Sequence, residues 1–248
     1  MSLRWVVLGS LVAIVTAPVL WSVSMGYANP FRHWSEARWD SAGLAPDPAT
    51  TPEPVIQVYA ARAWGWKGVF AVHSWIVVKR AGAPTFDRYD VVGWGVQRGA
   101  PAVRKNMRAI DGYWAGSRPE LLIDRRGPEV EGLIDQVETA ILSYPYPDQY
   151  RTWPGPNSNT FIAHIARAVP ALGLELPPTA IGKDYLNNGS VVARTPSGTG
   201  VQVSLLGLLG LSVGRDEGVE VNLLGLTFGI DPLDLALKMP GIGQLGVR

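Results

Sequence analysis

The chain contains no cysteine. That excludes disulfides, a thiolate nucleophile, Cys-ligated zinc and lipidation of an N-terminal cysteine. Histidine is almost as scarce. His33, His73 and His164 are the whole set of 3, too few and too scattered for a His-rich metal site, so no metal or other cofactor is expected. Charge of neither sign dominates: 22 Lys and Arg stand against 21 Asp and Glu. With no basic run anywhere, nucleic acid is not an expected partner.

The last absence is local. After Arg4 no charged residue occurs until Arg32. The apolar stretch from Trp5 to about Tyr27 reaches the roughly 20 residues that span a bilayer. Two readings compete: a retained signal anchor, or a secretory signal cleaved after Ala28, where Gly26 and Ala28 supply small residues. The run exceeds the 7–15 residues of an ordinary signal core, so residues 1–28 are read as a transmembrane anchor that Pro18 would kink. A very short N-terminal tail ahead of a first helix usually stays inside. The expected location is therefore the inner (cytoplasmic) membrane, single-pass, with the lipid bilayer as a partner and the main domain outside the cytoplasm.

What is abundant is glycine (28), proline (20) and tryptophan (10), in a chain that is 47% apolar. That composition suits short strands and turns around a sizeable core better than a helical bundle. Residues 29–54 read as a linker or strap, because "GLAPDPATTPEP" is rich in residues that stop regular structure. Residues 55–185 read as the folded core. "VIQVYAARAW", "VFAVHSWIVVK" and "RYDVVGWGV" are β-branched and aromatic enough for strands, the last two forming a hairpin. Both faces of the second segment are mainly apolar, so it is expected to be central. Pro128 to Leu142 carries a helical stripe of Val130, Leu133, Ile134, Val137 and Ile141. A second helix follows "WPGPNSN" and ends at Pro170. In residues 186–248, "VQVSLLGLLG" is echoed by "VEVNLLGLTF", read as the two strands of one β-hairpin.

Two residues could carry chemistry. Ser158 opens the second helix, where an N-cap is its plain role. A helix N-terminus also offers a nucleophile the dipole and free N–H groups for an oxyanion. His73 lies on an apolar strand, where a core or rim histidine is the commoner outcome. A serine needs a base, and the base needs an orienting partner. Asp90 on the returning strand is the nearest candidate and Asp87 a weaker one, although alternation alone does not show whether Asp90 faces His73. The Ser158 N–H, with a side chain from Gln149 or Tyr150, could bind an oxyanion. Asn157 and Asn159 flank the serine and complete the candidate binding set. His164, six residues after Ser158, points elsewhere and reads as structural. "GKD" at 182–184 lacks the glycines of a phosphate loop. Most of the tryptophans near these segments read as core.

A histidine strand, a returning strand, a helix, and then "PNSNTF" opening another helix resembles the circularly permuted branch of papain-like amidases and acyltransferases, with Ser158 in the cysteine position. A closer resemblance runs through "VYAARAWGWKGVFAVHSWIVVK", "YDVVGWG", "WPGPNSNTFIAHIARAVP", "PPTAIGKDYL", "PSGTG" and "VNLLGLTFGIDP". These blocks resemble a bacterial family catalogued as domain of unknown function 3750. That resemblance implies a membrane-associated protein with no established activity and serine as the usual residue at this position.

The expected fold is thus α+β: a permuted papain-like domain, an antiparallel sheet with helices, preceded by a transmembrane helix and followed by a β-hairpin. Two functions stay open. One is a Ser-nucleophile amidase, esterase or acyltransferase at the cell envelope, acting on peptidoglycan or lipid through Ser158, His73 and Asp90. The other is a non-catalytic scaffold that binds or assembles.

Overall fold

The computed structural model describes residues 3–26 and 33–246. An N-terminal helix α1 (Leu3–Ser24) precedes a strap that begins with a single 3-10 turn. Five strands follow: β1 (Val55–Arg62), β2 (Val72–Lys79), β3 (Asp87–Val91), β4 (Val103–Lys105) and β5 (Glu120–Arg126). They form one antiparallel sheet in the order β4-β3-β2-β1-β5. Helices α2 (Val130–Leu142) and α3 (Ser158–Ala168) come next.

Both faces of this sheet are covered, as the apolar residues on both faces of β2 require. On one face Ile56, Val58, Ile76 and Val78 pack against α2 through Ile134 and Val137, and against α3 through Phe161, Ile162 and Ile165. On the other face Val55, Tyr59, Trp75 and Val77 meet Phe86 and Trp114, with Trp39 and Leu44 of the strap packed alongside. The strap is held by Asp111, whose carboxylate accepts from the N–H groups of Leu44 and Ala45 at 2.6 and 3.1 Å.

The C-terminal third corrects the expected hairpin. Seven strands run as an uninterrupted meander: β6 (Val192–Arg194), β7 (Gly200–Leu205), β8 (Leu209–Gly214), β9 (Gly218–Leu223), β10 (Leu226–Asp231), β11 (Ala236–Met239) and β12 (Gly243–Leu245). Each half of the sequence echo is itself a hairpin, β7–β8 and β9–β10. The turns hide in "LLG". Leu206 and Gly207 both have positive φ, as do Leu224 and Gly225, which is the backbone of a type I′ turn. Leucine there, where Asn or Gly is usual, disguises a turn as a continuing strand.

The expected α+β papain-like class is corrected as well. The molecule is mostly β, two antiparallel sheets with few helices. Among the described residues, no helix is long and apolar enough to cross a membrane. This overturns the single-pass inner-membrane expectation. Small or polar residues, among them Gly9, Thr16 and Ser22, interrupt α1, and its last turn is docked on the domain. The buried Ser22 Oγ donates to the Val69 carbonyl at 3.0 Å. The cleavage position after Ala28 lies outside the described residues.

Candidate functional site

The site forms where the start of α3 meets the start of β2. Asn157 is the N-cap of α3. Its side-chain oxygen accepts from the N–H groups of Asn159 and Thr160 at 3.0 and 3.1 Å, and the Asn157 N–H donates back to Thr160 Oγ1 at 3.2 Å. That reciprocal capping box satisfies donors a helix start would leave orphaned. Its amide nitrogen donates to the carbonyls of Thr152 and Ile181. Gly182 makes room for this side chain, since a Cβ there would sit 2.4 Å from the Asn157 amide.

Asn159 joins helix to sheet. Its amide nitrogen donates to the Val72 carbonyl at 2.9 Å and to Ile181, while its oxygen accepts from Ser74 Oγ at 2.8 Å. Val72 and Ser74 are the chain neighbours of His73, so Asn159 fixes the strand on both sides of the histidine. Both asparagines expected to bind substrate thus have their amide donors engaged by backbone carbonyls.

Ser158 is left with neither task. Asn157, not Ser158, caps the helix. The Ser158 hydroxyl makes no hydrogen bond among the described residues, and its N–H, the first of the helix, has no partner there either. Ser158 borders a cavity of about 1150 Å³, which His73 also lines.

His73 has a built environment. The β2–β3 register pairs Ile76 with Tyr89 and Val77 with Arg88, so Asp90 falls opposite Trp75 and diagonal to His73 on the same face. His73 Nε2 meets Asp90 Oδ1 at 3.0 Å, and both side chains are buried. Arg88 then grips the same carboxylate twice, Nε to Oδ2 at 2.7 Å and a terminal nitrogen to Oδ1 at 2.8 Å. Its guanidinium also donates to the Ala109 carbonyl and lies over the Trp75 ring, 4.1 Å from the centroid. The imidazole stacks on Trp114 with centroids 3.5 Å apart and planes 9° from parallel.

These contacts set protonation. Burial lowers the His73 pKa below its ordinary value, and the bond to Asp90 only partly opposes this. Burial also opposes ionisation of Asp90, but the Arg88 charge and the hydrogen bonds from His73 and Arg88 together hold its carboxyl below the usual range. An ionised Asp90 can only accept, so Nε2 carries the proton and Nδ1 carries the lone pair of the neutral ring.

The other expected residues divide. Tyr150 lines the cavity; Gln149 is exposed and does not. Asp87 binds Asn106 and Lys105 instead of His73. His164 is held by the Ala140 carbonyl and the Asn187 amide. Among the described residues no group of three or more His, Asp or Glu could hold a metal ion. Sequence reading missed Arg88, although it had a signal, its i, i+2 spacing from Asp90 on one strand face. Trp114 was read among the tryptophans near the site segments, but nothing in the sequence paired it with His73. The tryptophans also differ from expectation. Trp75 and Trp114 are core, whereas Trp66, Trp94 and Trp153 are exposed and line the cavity with Trp34 and Trp64.

A family profile described as "Protein of unknown function (DUF3750)" matches residues 53–185. The chain belongs to this family. The matched DUF3750 region contains β1 to β5, α2, α3 and every residue of the His73–Asp90–Ser158 site. No curated protein and no solved structure matches the chain.

Proposed function

We propose that this DUF3750 protein performs acyl transfer, with Ser158 as nucleophile and His73 as base. The observation that carries the reading is a single cavity bordered by an unengaged helix-N-terminal serine and by a buried, carboxylate-oriented histidine. In the step, Ser158 Oγ bonds to the carbonyl carbon of an ester or amide while its proton passes to His73 Nδ1. The carbonyl electron pair moves to oxygen, beside the free Ser158 N–H. Collapse expels the alcohol or amine, which takes the proton back from His73. Water then releases the acyl group by the same route, or a second alcohol or amine accepts it.

The cavity wall favours an apolar acyl group. Six tryptophans line it, together with Lys67 and Arg98 and no carboxylate. A lipid ester or amide suits that wall better than the peptide of peptidoglycan.

A fluorophosphonate probe tests the chemistry. It should label Ser158 in the wild-type chain, not label Ser158→Ala, and label His73→Gln about 10²–10⁴-fold more slowly, the span of a lost general base. Because burial depresses the His73 pKa, labelling should persist below pH 6.5 and fall only on further acidification. A folded wild-type protein that takes no label would overturn the proposal. Two observations support the non-catalytic alternative: Ser158 is not hydrogen-bonded to His73, and Arg88 offsets the Asp90 charge that would stabilise an imidazolium. In that case acyl ligands bind wild-type and Ser158→Ala equally, without label in either.

A further inference from the structure

The seven-stranded sheet is inverted. Along β7, β8 and β9 the buried positions are Gln202, Ser204, Ser212, Gly218, Glu220 and Asn222, so every buried side chain there is polar. Alternate positions point outward, and they are Val or Leu on every one of these strands, such as Val203, Leu211 and Val221. The register places these three in one row, Val203 beside Leu211 beside Val221, and Phe228 extends it on β10. Arg194, at the edge strand, is the one charged side chain among the outward positions of the seven strands of this sheet.

The inner face cannot exchange places with this one, because its polar groups are engaged. Asp184 accepts from Gln202 and Asn222, and Glu220 accepts from Lys183 at 2.6 Å and Lys238 at 3.1 Å. The apolar face is therefore fixed outward by the fold beneath it.

We propose that this face is covered by a second copy of the chain, packed sheet on sheet about a two-fold axis. The area fits. Seven strands about 4.8 Å apart and up to six residues long present a face of roughly 30 by 20 Å, on the order of 600 Å². Two such faces reach about 1,200 Å², the lower bound for a stable specific interface, and one alone equals the largest apolar patch usual on a monomer. Chemistry favours protein over lipid as the cover. Surfaces that sit on a bilayer are flanked by Lys, Arg and Trp. The outward row carries no Lys, Trp or Tyr, its lone Arg194 stands at one edge, and the exposed Trp153 flanks it at one strand end, where it donates to the Leu224 carbonyl.

The test is the mass of the full chain in solution. Sedimentation equilibrium at micromolar concentration should give twice the chain mass for wild type and a folded monomer for Leu211→Glu/Val221→Glu. Val12→Glu, on the exposed face of α1, should remain a dimer. The chain lacks cysteine, so Val221→Cys on the central strand introduces a unique thiol. A bis-maleimide spanning about 10 Å, the spacing of packed sheets, should cross-link it and leave Val12→Cys monomeric on a denaturing gel. These cysteine variants keep the face apolar and decide the matter if the double-Glu variant fails to fold. A monomeric wild type, with or without co-sedimentation with phosphatidylcholine or phosphatidylglycerol vesicles, overturns the proposal. So does dissociation by Val12→Glu while the double-Glu variant stays dimeric.

Discussion

The two sheets obey opposite rules. The central strands β1 and β2 of the five-stranded sheet are mainly apolar and buried on both faces, with His73, Asp90 and Arg88 gathered in one polar patch. The seven-stranded sheet keeps its polar side inward and its apolar side outward. Its contact with the rest of the chain is polar and partly ionic: Lys238 Nζ reaches Glu175 at 2.5 Å, Glu220 accepts from Lys183 at 2.6 Å, and Gln202 and Asn222 donate to Asp184, while the Glu217 carbonyl and Glu220 hold the buried Lys238 from within the sheet at 2.7 and 3.1 Å. Burying charge is costly unless partners restore what water supplied. This interface therefore tolerates little error in geometry, whereas an apolar core can repack. The family profile covers the first sheet with α2 and α3 but stops at residue 185, before β6. The inverted sheet lies outside that match.

The largest expected effect tests that contrast. Lys238→Ala leaves Glu220 and Glu175 short of a partner and should cost about 3–5 kcal/mol in chemical denaturation, the range for breaking a buried pair from one side. Replacing Lys238→Met together with Glu175→Leu, which leaves Glu220 still paired with Lys183, should recover a large part of the loss. A double variant as unstable as Lys238→Ala would mean the network is not acting through charge. In the five-stranded sheet's core, Ile134→Ala on α2 should cost about 2–5 kcal/mol through the cavity it leaves, and no second substitution of opposite polarity should rescue it.

Smaller effects probe the outer side of the inverted sheet. Leu206 occupies a turn with φ 54°, a conformation costing a non-glycine residue about 1–2 kcal/mol. Leu206→Asn should raise the unfolding midpoint, gaining up to about 1 kcal/mol, because Asn-Gly suits this turn. An unchanged or lower midpoint would show that the leucine side chain has packing of its own. Val203→Thr, the smallest test, changes an outward side chain. In a chain held monomeric by Leu211→Glu/Val221→Glu, it should alter stability by no more than about 0.5 kcal/mol.

Much of the strand pattern was legible along the chain. β-Branched and aromatic runs marked β1, β2 and β3, and a helical stripe marked α2. Proline and two asparagines marked the start of α3. The meander was not legible as seven strands, because leucine stands where turn residues usually do at 206 and 224. The apolar count near the N-terminus pointed to a membrane span, but composition carries no information on where α1 ends or on what Ser22 touches.

Within the site, the sequence by itself determined the chemistry available: one serine at a helix start, one histidine on a strand, no thiol and no metal-ligand cluster rich in His. Alternation also determined which residues of a strand share a side. Only the tertiary structure decided which partners meet. The β2–β3 register set Asp90 diagonal to His73, Arg88 closed on that carboxylate, and Asn157 took the cap and left Ser158 unengaged. It likewise decided that β7 to β9 turn their polar side inward. A period of two separates the faces of a strand equally well either way, and the choice between them rests on whether buried partners such as Lys183, Asp184 and Lys238 stand ready to receive the polar side.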